Sequence, residues 1–189
     1  MTDAFAILGL PRSVALHDET LQKAYAAHSR TAHPDHGGNE TQAAEVNAAY
    51  EALRAPDRRL KHLLELAAPE DAKQWRTVPL DEAMMGLFSE LGKALEASAK
   101  FIERKAKAQT ALAKALLANE EMRHRESLER IGFEIENRRT EMEVMLPRID
   151  QALLANDESV WRQLGVTQAK FAYLTKWQTQ VRERLLALM

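Results

Sequence analysis

Near the end of the chain, Val160, Leu164, Phe171, Leu174, Val181, Leu185 and Leu188 recur at steps of three, four and seven. Those steps place all seven on one stripe of an α-helix, whereas a strand would scatter them over both of its faces. Two earlier stretches follow the same rule. One is Met84, Phe88, Leu91, Leu95 and Ile102; the other is Leu128, Ile131, Ile135, Met142, Leu146, Ile149 and Leu153. A helix with one apolar face must bury it against a partner. The sequence therefore predicts an all-α fold whose residues 80–189 form an antiparallel three-helix bundle. Composition agrees: only 7 Gly and 6 Pro interrupt 189 residues, and 46% are hydrophobic.

The turns of this bundle are expected at a local echo. Residues 115–121 read Ala-Leu-Leu-Ala-Asn-Glu-Glu and residues 152–158 read Ala-Leu-Leu-Ala-Asn-Asp-Glu. Asn followed by two acids suits a helix end and a new N-terminus. Helices of roughly 30–40 residues follow, with Pro147 expected to kink the second.

Residues 1–67 are organised differently. Asp3 is placed to cap a brief helix carrying Phe5 and Leu8, ended by Gly9 and Pro11. Asp18 is the expected cap of a second helix, whose buried face holds Leu21, Ala24, Tyr25, His28 and Ala32. Pro34 stops it, and His33-Pro34-Asp35-His36-Gly37-Gly38-Asn39 reads as a loop. A third helix carries Val46, Ala49, Tyr50 and Leu53, and Pro56 separates it from a fourth with Leu60, Leu63, Leu64 and Ala67. Residues 68–79 read as a linker, with Trp75 expected to pack on a neighbour.

Charge and residue usage exclude several functions. The chain has no Cys, which removes disulfide scaffolds, thiolate metal sites and cysteine catalysis. The net charge of −2 offers no general attraction for nucleic acid. No apolar run reaches the ~18 residues of a membrane span, and the N-terminus lacks the basic start and apolar stretch of a signal peptide. The expectation is a cytoplasmic protein bound neither to membrane nor to nucleic acid. His33 and His36, with His28 nearby, lack a third clear metal ligand, and Gly37-Gly38 lacks the Lys-Ser/Thr of a phosphate loop. No catalytic constellation, metal or cofactor is expected, so the chain does not read as an enzyme.

The tripeptide His33-Pro34-Asp35 carries the functional signal. Alone it is weak. Here it ends an amphipathic helix with Tyr25 eight residues upstream, and it precedes Asn47, Tyr50, Leu53, Pro56 and the pair Arg58-Arg59. This context resembles a J-domain, the module that activates DnaK-type heat-shock chaperones. The resemblance implies an antiparallel helical hairpin with His-Pro-Asp at its tip and a partner chaperone that performs the ATP hydrolysis. It implies chaperone contacts at His33, Pro34, Asp35, Lys23 and Arg30. In that family basic residues on the second helix meet an acidic chaperone surface; here Ala26, Ala27 and Thr31 stand at such places.

The longer spacing from Gly9 to Tyr25, with Gly9-Leu10-Pro11 and Leu16, is similar to the HscB-type co-chaperones of iron–sulfur cluster assembly. So is the plan of J-domain (1–67), linker (68–79) and C-terminal helical region (80–189). The resemblance implies a client, an iron–sulfur scaffold protein, held by the last region. In an up-down-up bundle the first and third helices run side by side, so Met84, Met85, Phe88 and Tyr173 form the candidate client surface. Met84 and Phe88 share a face that suits a core equally well. Two other readings are open: a J-protein with an unrelated client, and a structural helical adaptor with a vestigial J-fold.

Overall fold

The computed structural model describes residues 2–69, 78, 80–155 and 157–189. Among these there is no strand. Seven α-helices follow in order: α1 (Ala4–Ile7), α2 (Asp18–Ala32), α3 (Glu40–Leu53), α4 (Pro56–Ala67), α5 (Glu82–Lys107), α6 (Ala111–Leu154) and α7 (Ser159–Leu188), with a 3-10 turn, Pro34–His36, between α2 and α3. The Trp75 expectation lies outside the described residues. The chain forms two compact units. One contains Met1–Val78 and Met142–Ala172, the other Pro79–Glu141 and Tyr173–Met189. Division by packing therefore differs from division along the chain, because α6 and α7 each contribute to both units.

In the first unit, α1 has only four residues and is held by its ends. The Asp3 carboxylate accepts from the N–H groups of Phe5 and Ala6 at 3.0 and 3.3 Å, and from Arg12 at 2.8 Å. Burial pushes the Asp3 carboxyl up, but Arg12 and the two amides outweigh it and hold the group below its ordinary value. At the other end Gly9 adopts φ +61°, and Gly9 and Leu10 donate back to the carbonyls of Ala6 and Phe5. A residue with a Cβ strains there. Phe5 and Leu8 are then fully buried.

α2 begins one residue earlier than expected. His17 is the N-cap and makes no side-chain cap bond, while Asp18 is the first helical residue. Asp18 and Glu19 act on the helix dipole instead. α3 packs against α1, α2 and α4. Leu21, Val46 and Leu53 are buried in that hairpin, as their spacing required. Arg59, on α4, is 4% exposed and donates to the carbonyls of Val14 and Leu53, both at 2.9 Å. It thereby satisfies a C-terminal carbonyl of α3.

The ends of α6 and α7 complete this unit. Asp150 accepts from Ser13 Oγ at 2.6 Å, Val14 N–H at 2.7 Å and Ala15 N–H at 3.0 Å. Leu146, Ile149, Val160, Leu164 and Phe171 share one apolar cluster with Phe5, Leu8, Val14, Leu16 and Leu60.

In the second unit α5 and α6 run antiparallel. Glu90 pairs with Arg130 at 3.2 Å, Arg104 with Glu120, and Lys105 with Glu121 at 2.8 Å. α5 and α7 run parallel, with Phe88 beside Trp177 and Lys105 Nζ donating to the Leu188 carbonyl at 2.9 Å. Met84, Leu87, Leu91, Phe101, Leu128, Ile131, Ile135, Leu174, Trp177, Val181 and Leu188 are buried.

The expected turn near Asn119 is corrected. α5 ends at Lys107, and α6 starts at Ala111, where Thr110 Oγ1 accepts from the Ala113 N–H at 3.1 Å. The helices are accordingly unequal: α5 has 26 residues and α6 has 44. Nothing at Asn119 interrupts helical hydrogen bonding, whereas a threonine cap opens a helix locally. The second echo does mark a turn, between Leu154 and Ser159, although Asn156 itself lies outside the described residues. α6 runs through Pro147 without ending.

Two predictions follow from the first unit. Asp150→Ala leaves the Val14 and Ala15 amides without their charged acceptor, so unfolding free energy measured in urea should fall by about 2–3 kcal/mol. His62 Nε2 accepts the Ala4 N–H at 3.0 Å, and the side chain is buried. Burial lowers the His62 pKa, with Asp3 and Glu65 opposing. Its contribution to stability is complete above the ordinary imidazole value of about 6.5 and is lost as the pH falls below it. The melting temperature should drop between about pH 7.5 and 5.5. His62→Gln, which keeps an acceptor but does not titrate, should flatten that drop.

Candidate functional site

The loop between α2 and α3 is shaped by local sterics. A residue preceding proline disfavours the helical region, and His33 accordingly sits at φ −68°, ψ 138°. The chain then makes the 3-10 turn Pro34–His36. The His33 carbonyl accepts from the N–H groups of His36 and Gly38 at 2.9 and 3.1 Å. Gly37 has φ +88°, and a Cβ on Gly38 would lie 2.1 Å from the Ala32 carbonyl oxygen. Both glycines are thus demanded by the return of the chain. Asn39, read from sequence as part of the loop, caps α3: its Oδ1 accepts from the Gln42 N–H at 2.9 Å.

His33 holds this loop from within. Its Nδ1 accepts the Asp35 N–H at 3.2 Å. A ring nitrogen that accepts carries no proton, so it does not also donate to the Asp35 carboxylate 3.5 Å away. That carboxylate, with 82% of its side chain exposed, is presented outward.

Behind the loop the hairpin is fastened by aromatic and polar contacts. Tyr25 and Tyr50 stack with ring centroids 4.3 Å apart, and Tyr25 Oη donates to Asn47 Oδ1 at 2.8 Å. His28 is half-buried, its ring facing Gly9. Lys23 and Arg30 are both exposed on α2. Lys23 Nζ lies 2.7 Å from Glu19. Arg30 has no ion-pair partner among the described residues.

The second candidate surface divides. Met84 is 4% exposed, which corrects its assignment as a surface contact: its side chain belongs to the core of the second unit. Met85 and Phe88 are each 51% exposed. Phe88 and Tyr173 both lie against Trp177, with ring centroids 5.8 and 6.0 Å from it. Buried Trp177, which the candidate surface read from the sequence did not include, joins α5 and α7 here. Its four-residue spacing from Tyr173 was the available signal.

Among the described residues no three His, Cys, Asp or Glu side chains are grouped to hold a metal, and no helix is long and apolar enough to cross a membrane. What the first unit offers is an exposed, internally hydrogen-bonded loop at the tip of a fastened hairpin.

Known proteins share both the module and the architecture. Residues 3–62 match the DnaJ domain family. Over the full length, the chain is similar to the chaperone HscB from Vibrio cholerae, with a TM-score of 0.56 and 20% identity over 96% of each chain. It is also similar to the human co-chaperone protein HscB, with a TM-score of 0.53 and 18% identity over 97% of this chain and 82% of that one. The match to the DnaJ domain thus covers the hairpin and its His-Pro-Asp tip, and the chain as a whole has an HscB-like fold.

Proposed function

We propose that this protein is a cytoplasmic co-chaperone that stimulates the ATPase of a DnaK-type chaperone and delivers a client to it, the client being an iron–sulfur cluster scaffold protein. The exposed Asp35 carboxylate on a loop steadied by His33 carries the reading. Its role is to pair with an arginine of the chaperone; a charge-assisted pair of that kind is strong and directional. Pro34 restricts the loop backbone so that little order has to be gained on binding. Arg30 and Lys23 face the chaperone from α2, Arg30 being the cation not engaged within the helix. ATP hydrolysis belongs to the chaperone. The iron–sulfur part of the reading is supported by the HscB-like fold. The client surface is the exposed Met85 with Phe88 and Tyr173 around Trp177, where recognition proceeds by burial of apolar area.

Asp35→Asn should abolish stimulation in a steady-state ATPase assay with the DnaK-type chaperones of the same cell. Its unfolding free energy should move by less than ~0.5 kcal/mol, since the side chain is exposed. Retained stimulation would remove the loop from the mechanism. Absence of stimulation by the wild type, with every such chaperone, would favour a structural adaptor. Met85→Ala with Tyr173→Ala should weaken capture of a purified iron–sulfur scaffold protein by about tenfold. The same pair should leave ATPase stimulation by the client-free protein unchanged.

A further inference from the structure

At the start of α6 two leucines are left uncovered. Leu112 and Leu116 are 71% and 74% exposed, and no residue of 111–120 is buried. On a helix, positions 112, 116, 119 and 123 form one stripe. It reads Leu, Leu, Asn, Arg, and exposed Arg123 has no ion-pair partner among the described residues. The field around this stripe is positive. Residues 104–119 contain Arg104, Lys105, Lys107 and Lys114 and no carboxylate.

The same end of the second unit carries an opposite surface. Between α5 and α7 runs a groove of about 480 Å³, lined by half-buried Leu95, Ala99 and Ile102 and by Glu103, Glu183 and Arg184. Glu103 and Glu183 have no ion-pair partner among the described residues. A helix that lays two leucines into such a groove buries apolar area on both sides and brings its cation to the carboxylates. α5 borders both surfaces: Ile102 and Glu103 line the groove, and the next residue, Arg104, pairs with Glu120 of α6. A two-fold interface requires one patch that is complementary to itself, and a ridge and a groove flanking one helix meet that requirement. We propose that a second copy of this chain docks here, the α6 stripe of each copy seated in the α5–α7 groove of the other. Met85 and Phe88 stand at the other end of α5, about 20 Å away or more at 1.5 Å per residue, so the candidate client surface stays open in the dimer. The proposal is independent of the co-chaperone reading. A patch of this size suits a dissociation constant on the order of 10 µM.

The test is sedimentation velocity of the full chain between about 1 and 200 µM, a range that brackets that constant. The wild type should pass from monomer to dimer. Leu112→Gln with Leu116→Gln keeps helix propensity and should raise the dissociation constant by about tenfold or more. Arg123→Glu should raise it by about threefold at low salt, and adding Glu103→Lys with Glu183→Lys should recover the wild-type value. Far-ultraviolet circular dichroism checks that each variant is folded. A chain that stays monomeric throughout overturns the proposal, as does a dimer indifferent to the leucine pair. A dimer weakened by the leucine pair but not recovered by the charge exchange overturns the seating in the groove. Should the wild type stay monomeric and the leucine pair weaken capture of a purified iron–sulfur scaffold protein, the stripe belongs to the client and not to a second copy.

Discussion

Much of the first unit depends on how Val14 is held. Its N–H donates to the Asp150 carboxylate at 2.7 Å and its carbonyl accepts from Arg59 at 2.9 Å. The side chain between them is completely buried. A loop cannot be buried unless its backbone groups find partners, since an unpaired buried amide or carbonyl costs about as much as a lost hydrogen bond. Two charged side chains from distant parts of the chain supply those partners. The connection between α1 and α2 is thereby fastened to α4 and to the end of α6. This fixes where α2 starts, and with it the hairpin that displays Asp35.

The site shows a division of labour between stiffness and display. His33 spends both its carbonyl and its ring on the loop: the carbonyl accepts from His36 and Gly38, and Nδ1 accepts from Asp35. The tyrosine stack and the Tyr25–Asn47 hydrogen bond brace the helices behind it. Asp35, in contrast, spends its amide on the loop and leaves its carboxylate to solvent. A group that binds by charge-assisted hydrogen bonding gains most when the backbone under it loses no freedom on binding. In the second unit the arrangement is apolar. There, Trp177 is buried between two partly exposed rings, and Met85 adds an adaptable side chain on the same helix as Phe88.

The turn between α5 and α6 shows how a repeat misleads. Residues 115–121 and 152–158 are nearly identical, yet the first lies inside α6 and the second ends it. Ala, Leu, Asn and Glu are all compatible with a helix interior, so the segment follows whichever signal stands beside it. At the first copy that signal is Thr110, upstream, which opens the helix early. At the second, Asp157 accepts from the Ser159 N–H at 2.9 Å and opens the next one. Asp18 illustrates the same ambiguity on a smaller scale: an acid serves equally well as a cap or in the first turn.

The sequence by itself determined the helical class, the buried stripe of each long helix, the interruption at Pro34 and the J-domain signature around it. These are local properties. Periodicity reports which face of a helix is apolar, proline forbids particular backbone angles, and a motif of fixed spacing survives translation into a loop. Tertiary structure alone decided what each stripe is buried against. Leu146, Ile149, Val160 and Leu164 carry the same periodic signal as Leu128 and Leu174, but they join the core of the first unit. Tertiary structure also decided that Met84 is core while Met85, one position on, is surface. The roles of Asp150, Arg59 and His62 depend on partners 136, 45 and 58 positions away, and no local pattern encodes a contact at that separation.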